Sequence, residues 1–205
     1  MRTITDDEKE LLDSLNFELS VLGIVLEKTP SKIKRLARTY GEYNYTTKNI
    51  EYTTKVHEGI SFECTNKTAH ELTEKFREEL RKEGYLMYKS KKNYTFKPDE
   101  VSIIKSQNQF DIIRIEDTRA LNYELKNTDI ITKLQEWNTN YPFQITGASN
   151  DWLSANFVGE LPKNSMAFAK EMYEFCPDIV EQGTDTIEKL ESETKRTNQL
   201  YLWWD

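Results

Sequence analysis

The residues best placed to do chemistry lie close together near the end of the chain, in Phe175-Cys176-Pro177-Asp178 followed by Gln182-Gly183. A thiol, a carboxylate and a carboxamide within seven positions could serve a nucleophile and its supporting groups. In that reading Cys176 is a thiolate activated by a neighbouring base. The two histidines that could supply the base, His57 and His70, lie more than a hundred residues upstream, and no Asn or Asp arrangement completes a triad. The alternative is structural. Free cysteine is among the most buried residue types, Pro177 fixes a turn, and Asp178 caps the segment after it. The structural role is the one we expect for Cys176.

Around this corner stand Trp152 and the run Leu200-Tyr201-Leu202-Trp203-Trp204-Asp205. In a strand the indoles of Trp203 and Trp204 point to opposite faces, so one can fill a core while the other forms an aromatic platform. Asp205 could pair with an arginine such as Arg114 or Arg119. Gln182-Gly183 reads as a turn in which Gly183 supplies a positive φ, with Thr184 or Asp185 capping the next helix. A backbone nest for an anion at that helix start is the functional alternative. The candidate functional corner is therefore Cys176, Asp178, Gln182, Gly183, Trp203, Trp204, Asp205 and Trp152.

Other constellations carry less. Cys64 and His70 would need two further ligands to hold a metal, so no metal site is expected. Glu78-Glu79 and Asp6-Asp7 read as solvated helix faces, and the basic run Lys32, Lys34, Arg35, Arg38 as one more. No phosphate loop, zinc signature or Ser/His/Asp order appears, so no cofactor is expected.

The elements that position the corner can be read from periodicity. Thr5-Asp6-Asp7-Glu8 is a capping box opening a helix with Leu11, Leu12 and Leu15 on one face. Phe17–Leu26 fits either a strand or a helix, and Ser31–Tyr40 reads as a short basic helix ended by Gly41. Residues 42–58, rich in Tyr, Thr, Asn and Lys, are an exposed ribbon or a loop. Strands are expected near 60–64, 85–88, 101–105, 110–115, 143–147, 152–158 and 199–204, and helices near 68–83, 129–139, 165–175 and 186–197. A polar connection spans 89–97. The pattern predicts an α+β protein of two tandem ferredoxin-like (split βαβ) units, mostly antiparallel, with an N-terminal helical extension. The segments would be 1–58 (extension and linker), 59–109 (first βαββ unit) and 110–205 (C-terminal domain).

Bulk properties narrow the partners. A net charge of −7, from 28 Lys and Arg against 35 Asp and Glu, disfavours nucleic acid and anionic membranes as partners. Nine Phe, eleven Tyr and four Trp enlarge a core that 37% hydrophobic content would leave modest. Two cysteines imply no disulfide scaffold, and Met1–Glu8 has no leader-like apolar run, so a reducing cytoplasm is the default.

Phe175-Cys176-Pro177-Asp178, then Gln182-Gly183, a helix and Leu202-Trp203-Trp204-Asp205 resemble the C-terminal signature of the bacterial family termed domain of unknown function 4253. The stretch Ile131–Trp152, with Trp137, Ile145-Thr146-Gly147-Ala148 and Asp151-Trp152, is similar to it as well. The likeness covers about Asp111–Asp205. It implies a small bacterial cytoplasmic α/β protein and brings no reaction with it. The function expected is a non-enzymatic module that binds another protein, with neutralisation of a basic partner such as a toxin as one form of this. The alternative is an enzyme or small-ligand binder built on the Cys176/Asp178/Gln182 corner.

Overall fold

The computed structural model describes residues 2–93, 97–159, 161 and 164–205. The chain forms two compact units, Met1–Gln107 and Asn108–Asp205, and the fold is mixed α+β.

In the first unit, α1 (Asp6–Ser14) opens on the expected capping box: the Thr5 backbone N–H donates to Glu8 Oε2 at 2.9 Å. Of the two forms open to Phe17–Leu26, the chain takes the helix, α2 (Leu19–Leu26). Leu22, Val25 and Leu26 share its buried face at i, i+3 and i+4. The basic segment expected as a helix over 31–40 is instead the strand β1 (Lys34–Asn44). Its burial alternates, Leu36 and Arg38 inward, Ala37 and Thr39 outward, a period of two that no helix can satisfy.

The strand β2 (Asn49–Cys64) returns antiparallel to β1, with Asn44 opposite Asn49 and Tyr40 opposite Thr53. Residues 42–58 thus form most of a long two-stranded ribbon. Helix α3 (Asn66–Lys82) follows, capped by Thr65 and closed by Gly84 at φ +82°. The strands β3 (Tyr85–Lys91) and β4 (Asp99–Lys105) complete the unit. The connection expected over 89–97 is strand as far as Lys91, and positions 94–96 lie outside the described residues.

Both β2 and β3 run antiparallel to β4 and flank it, so α3 joins two strands of the same direction with a third between them. Ile60, Phe62, Val101, Ile103 and Met87 from the sheet form one core with Leu72, Phe76 and Leu80 of α3 and the buried faces of α1 and α2.

The second unit begins with a correction. Residues 110–115, expected as a strand, are helix α4 (Phe110–Glu116). Phe110, Ile112 and Ile113 are apolar on either period. The local polar groups decide: Asn108 Oδ1 accepts the Phe110 N–H at 3.2 Å, and Arg114 pairs with Asp111 one turn earlier at 2.6 Å. Helix α5 (Asn127–Asn140), the hairpin of β5 (Phe143–Ala148) and β6 (Trp152–Phe157), helices α6 (Ser165–Phe175) and α7 (Ile187–Thr197), and strand β7 (Gln199–Trp203) match the expected pattern. Their neighbours run β5-β6-β7, all antiparallel. Trp137 of α5 is buried and meets Phe168 and Phe175 edge-on at 5.2 and 5.4 Å. Among the described residues no helix is long and apolar enough to cross a membrane.

Candidate functional site

The corner is built where α6 runs out. Pro177 cannot donate a backbone hydrogen bond, and the chain leaves the helix at Cys176 for a single π-helical turn, Ile179–Thr184. The Pro177 carbonyl accepts the N–H groups of Val180 and Glu181, both at 3.0 Å. This places Asp178 and Gln182 side by side over the end of β7.

Cys176 has no exposed surface, and its thiol donates to the Trp203 carbonyl at 2.9 Å. Burial pushes its pKa up to about 12, so at neutral pH it is a thiol without nucleophilic character. Asp178 is the hub, 4% exposed. Its Oδ1 accepts the Tyr123 hydroxyl at 2.7 Å and the Gln182 amide at 3.2 Å, and its Oδ2 accepts the Asp205 backbone N–H at 2.9 Å. Burial opposes its ionisation, yet those three donors outweigh burial and hold the carboxyl below its ordinary value. In return the phenol of Tyr123 rises to about 12, first because it donates to that carboxylate.

The indoles divide their work. Trp204 is buried, edge-on to Phe175 at 5.8 Å, its ring N–H directed at the Phe175 carbonyl at 3.4 Å. Trp203 is half-buried and lies opposite Trp152 across the β6–β7 ladder, while Trp152 stacks on Tyr201 at 6.4 Å. Asp205 is held by Asp178 and by the side chain of Asn122, which donates to its carbonyl. The arginines considered for it sit elsewhere: Arg114 pairs with Asp111, and Arg119 with Asp117 at 3.6 Å.

Two expectations at this turn are corrected. Gly183 does not carry the positive φ; Asp185 does, at +67°. A Cβ on Gly183 would meet nothing nearer than the Asp178 carbonyl at 3.7 Å, so the position does not require glycine. The cap of α7 is Thr186, whose hydroxyl accepts the Lys189 N–H at 3.2 Å, rather than Thr184 or Asp185.

Gly183 also borders a shallow open groove of about 550 Å³ along α7, lined by Asp185, Glu188, Lys189, Glu193 and Arg196 among others. Its two cations are partnered within it, Lys189 by Asp185 at 2.7 Å and Arg196 by Glu193 at 3.6 Å. Cys176, Asp178 and the tryptophans do not line it. Among the described residues no group of three or more His, Cys, Asp or Glu could hold a metal ion.

Sequence reasoning missed two features. Tyr123 and Asn122 join the corner through a 3₁₀ turn, Leu121–Tyr123, that nothing in the local pattern links to Asp178. The second is the outer half of the β1–β2 ribbon. Tyr43, Ile50, Tyr52 and Val56 are each more than half exposed, and Tyr45 in the turn is 87% exposed. The register puts Tyr43, Ile50, Tyr52 and Val56 on one side: Tyr43 opposite Ile50, Gly41 opposite Tyr52, Thr39 opposite Thr54 and Ala37 opposite Val56. None of these eight residues is charged. Glu42, Glu51 and Lys55 occupy the other side, with Tyr40 hydrogen-bonded to His57 at 3.0 Å and Asn44 to Glu51 at 2.6 Å. The signal was the run of Tyr and Thr over 42–58, legible as a ribbon but not as a ribbon with an apolar side.

A mixed α+β chain whose C-terminal unit closes on a packed Cys-Pro-Asp turn, with no metal cluster among the described residues, defines a class by its architecture rather than by a reaction. The model of the family described as Domain of unknown function (DUF4253) matches residues 100–205, which is β4 and the whole second unit, and the chain belongs to that family. No curated protein matches the chain, and no solved structure does.

Proposed function

We propose that the protein is a non-enzymatic protein-binding module that docks through the uncharged face of the β1–β2 ribbon. One observation carries this reading: five large apolar or aromatic side chains, Tyr43, Tyr45, Ile50, Tyr52 and Val56, stand in solvent on a single ribbon. Contiguous exposed apolar patches of several hundred Å² mark interaction sites on soluble proteins, and tyrosine supplies rigid contact area that is enriched at such sites. The net charge of −7 would draw a basic partner by its long-range field, and a neutralising role would rest on that attraction. Two free thiols fit a reducing, cytoplasmic setting. The ferredoxin-like reading fits the first unit, where β4 lies between β2 and β3.

The rival reading, an enzyme or ligand binder at the Cys176/Asp178/Gln182 corner, gains no support from a thiol with zero exposure and a carboxylate already holding three donors.

The test is an affinity column of the intact protein beside one of Tyr45→Ser/Tyr52→Ser. Both residues are solvated, so circular dichroism should be the same for the two. Wild type should retain a protein, foreign or its own chain, that the variant releases. Identical retention by the two columns, or none by either, overturns the reading.

A further inference from the structure

Building on that docking face, we infer that its occupant is a second copy of this chain, the two ribbons packing face to face about a two-fold axis. Three observations lead there. The first is the absence of charge. In a two-fold contact a residue near the axis meets its own copy, so any charge there faces its like. The side formed by Ala37, Thr39, Gly41, Tyr43, Ile50, Tyr52, Thr54 and Val56 has none, whereas the opposite side of the same strands carries Glu42, Glu51 and Lys55. A face selected by a charged foreign partner would carry the complementary charge.

The second is that the two threonine hydroxyls on this side are already paired with each other. Thr39 and Thr54 hydrogen-bond each other across the strands at 2.9 Å, so burying them against an apolar surface strands no hydroxyl. The third is shape and extent. Gly41 leaves the surface low beneath the Tyr52 ring: a Cβ there would meet Ile50 Cγ2 at 3.0 Å and Tyr52 Cε1 at 3.1 Å. Tyr43 and Tyr45 stand edge-on to each other at the tip, 5.1 Å apart. The five exposed large side chains present on the order of 600 Å², taking 150–250 Å² for a whole aromatic side chain. With Ala37, Thr39 and Thr54 between them this approaches the roughly 800 Å² per partner of a stable interface. Two sheets packed in this way interdigitate tyrosines from both inner faces.

Charge sets the sign of the salt effect. Each copy carries −7, so the two repel at long range and salt screens that repulsion. Self-association should tighten as salt rises, whereas capture of a basic partner would weaken.

The experiment is sedimentation equilibrium of the full chain from low to high micromolar concentration, at low and high salt, with Tyr52→Lys, Tyr52→Glu and their equimolar mixture. Expected are a wild-type dimer strengthened by salt, a dissociation constant raised about tenfold or more in each single variant, and recovery of the dimer in the mixture. Unchanged circular dichroism in both variants separates lost docking from lost folding. Wild type sedimenting as a monomer throughout overturns the inference, as does a Tyr52→Lys dimer as tight as wild type. If wild type is monomeric yet Tyr45→Ser/Tyr52→Ser still releases a foreign protein from the column, the second-copy inference fails alone. If the columns also agree, the docking reading fails with it.

Discussion

The Asp178 carboxylate accepts the backbone N–H of Asp205 at 2.9 Å, and this hydrogen bond fastens the residues beyond β7 to the turn after α6. The same carboxylate takes the Tyr123 hydroxyl from 55 residues upstream, so one buried anion joins three separate segments of the second unit. Asp178→Asn turns one acceptor oxygen into a donor and sets it against a donor, either the Asp205 N–H or the Tyr123 hydroxyl. An unsatisfied buried polar group costs about 1–3 kcal/mol, and urea unfolding should show a loss of that size. The Tyr123 phenol should also fall from about 12 toward its ordinary 10, followed by NMR titration. Unchanged stability together with an unchanged Tyr123 would remove Asp178 from its place as the hub.

Glu8 gives the first unit an acid limit. Its side chain, buried beneath β1, accepts two hydrogen bonds from Arg2 at 2.8 Å, the Thr5 N–H at 2.9 Å and the Ile33 N–H at 2.9 Å. Burial alone would raise its pKa; the Arg2 guanidinium and the backbone donors reverse this and lower it from 4.5 to about 2. A carboxylate whose pKa is depressed on folding contributes its stability above the unfolded value. That contribution, of order 3 kcal/mol, is fully present at pH 7 and disappears as the pH falls from 4.5 to 2. Glu8→Gln should therefore lower stability at pH 7 and flatten this acid limb. If the variant and wild type lose stability in parallel between those pH values, Glu8 is not the group responsible.

Both cysteines should be inert in the native protein. Burial pushes Cys64 up to about 11 and Cys176 to about 12, so the thiolate fraction at neutral pH is very small and neither sulfur can be reached. A thiol reagent at pH 7.5 should label both only after denaturant is added. Stoichiometric labelling of Cys176 within minutes in native buffer would reopen the nucleophile reading of the corner.

The reach of each interaction decides how much of it the sequence disclosed. Helix α6 could be read because Phe168, Ala169 and Met172 bury one face at helical spacing, a signal carried within eleven residues. Strand β1 could not. Its Lys and Arg run looks like a solvated helix face, and what draws Arg38 into a strand is Glu100 at 3.0 Å and Ser102, the latter 64 positions away. Helix α4 is misread as a strand for the opposite reason: its isoleucines suit either period, and only the small polar contacts of Asn108 and Asp111 settle it. At the corner Cys176, Asp178 and Gln182 declared themselves by proximity, whereas Tyr123 reaches Asp178 only through the folded chain. The ribbon's apolar side needed the register. Without knowing that Gly41 stands opposite Tyr52, the Tyr and Thr residues of 42–58 cannot be sorted onto faces.

The two terminal tryptophans should separate cleanly in stability. Trp204 is 3% exposed, packs on Phe175, and donates its backbone N–H to the Asp151 carbonyl at 2.9 Å. Truncating a buried indole to alanine costs about 3–5 kcal/mol, a large share of the roughly 5–15 kcal/mol that holds a domain together. Trp203 is only half-buried, so Trp203→Ala should cost clearly less and leave its carbonyl in place for the Cys176 thiol. Removing Leu202–Asp205 takes away the buried Leu202, the Trp204 contacts and the Asp178–Asp205 bond together, and should leave the second unit molten or insoluble. Thermal melts of the three variants beside wild type decide it. The expected order of melting temperatures is wild type, Trp203→Ala, Trp204→Ala, then the deletion; a Trp203→Ala protein that melts below Trp204→Ala would mean the half-exposed indole, not the buried one, anchors the end of β7.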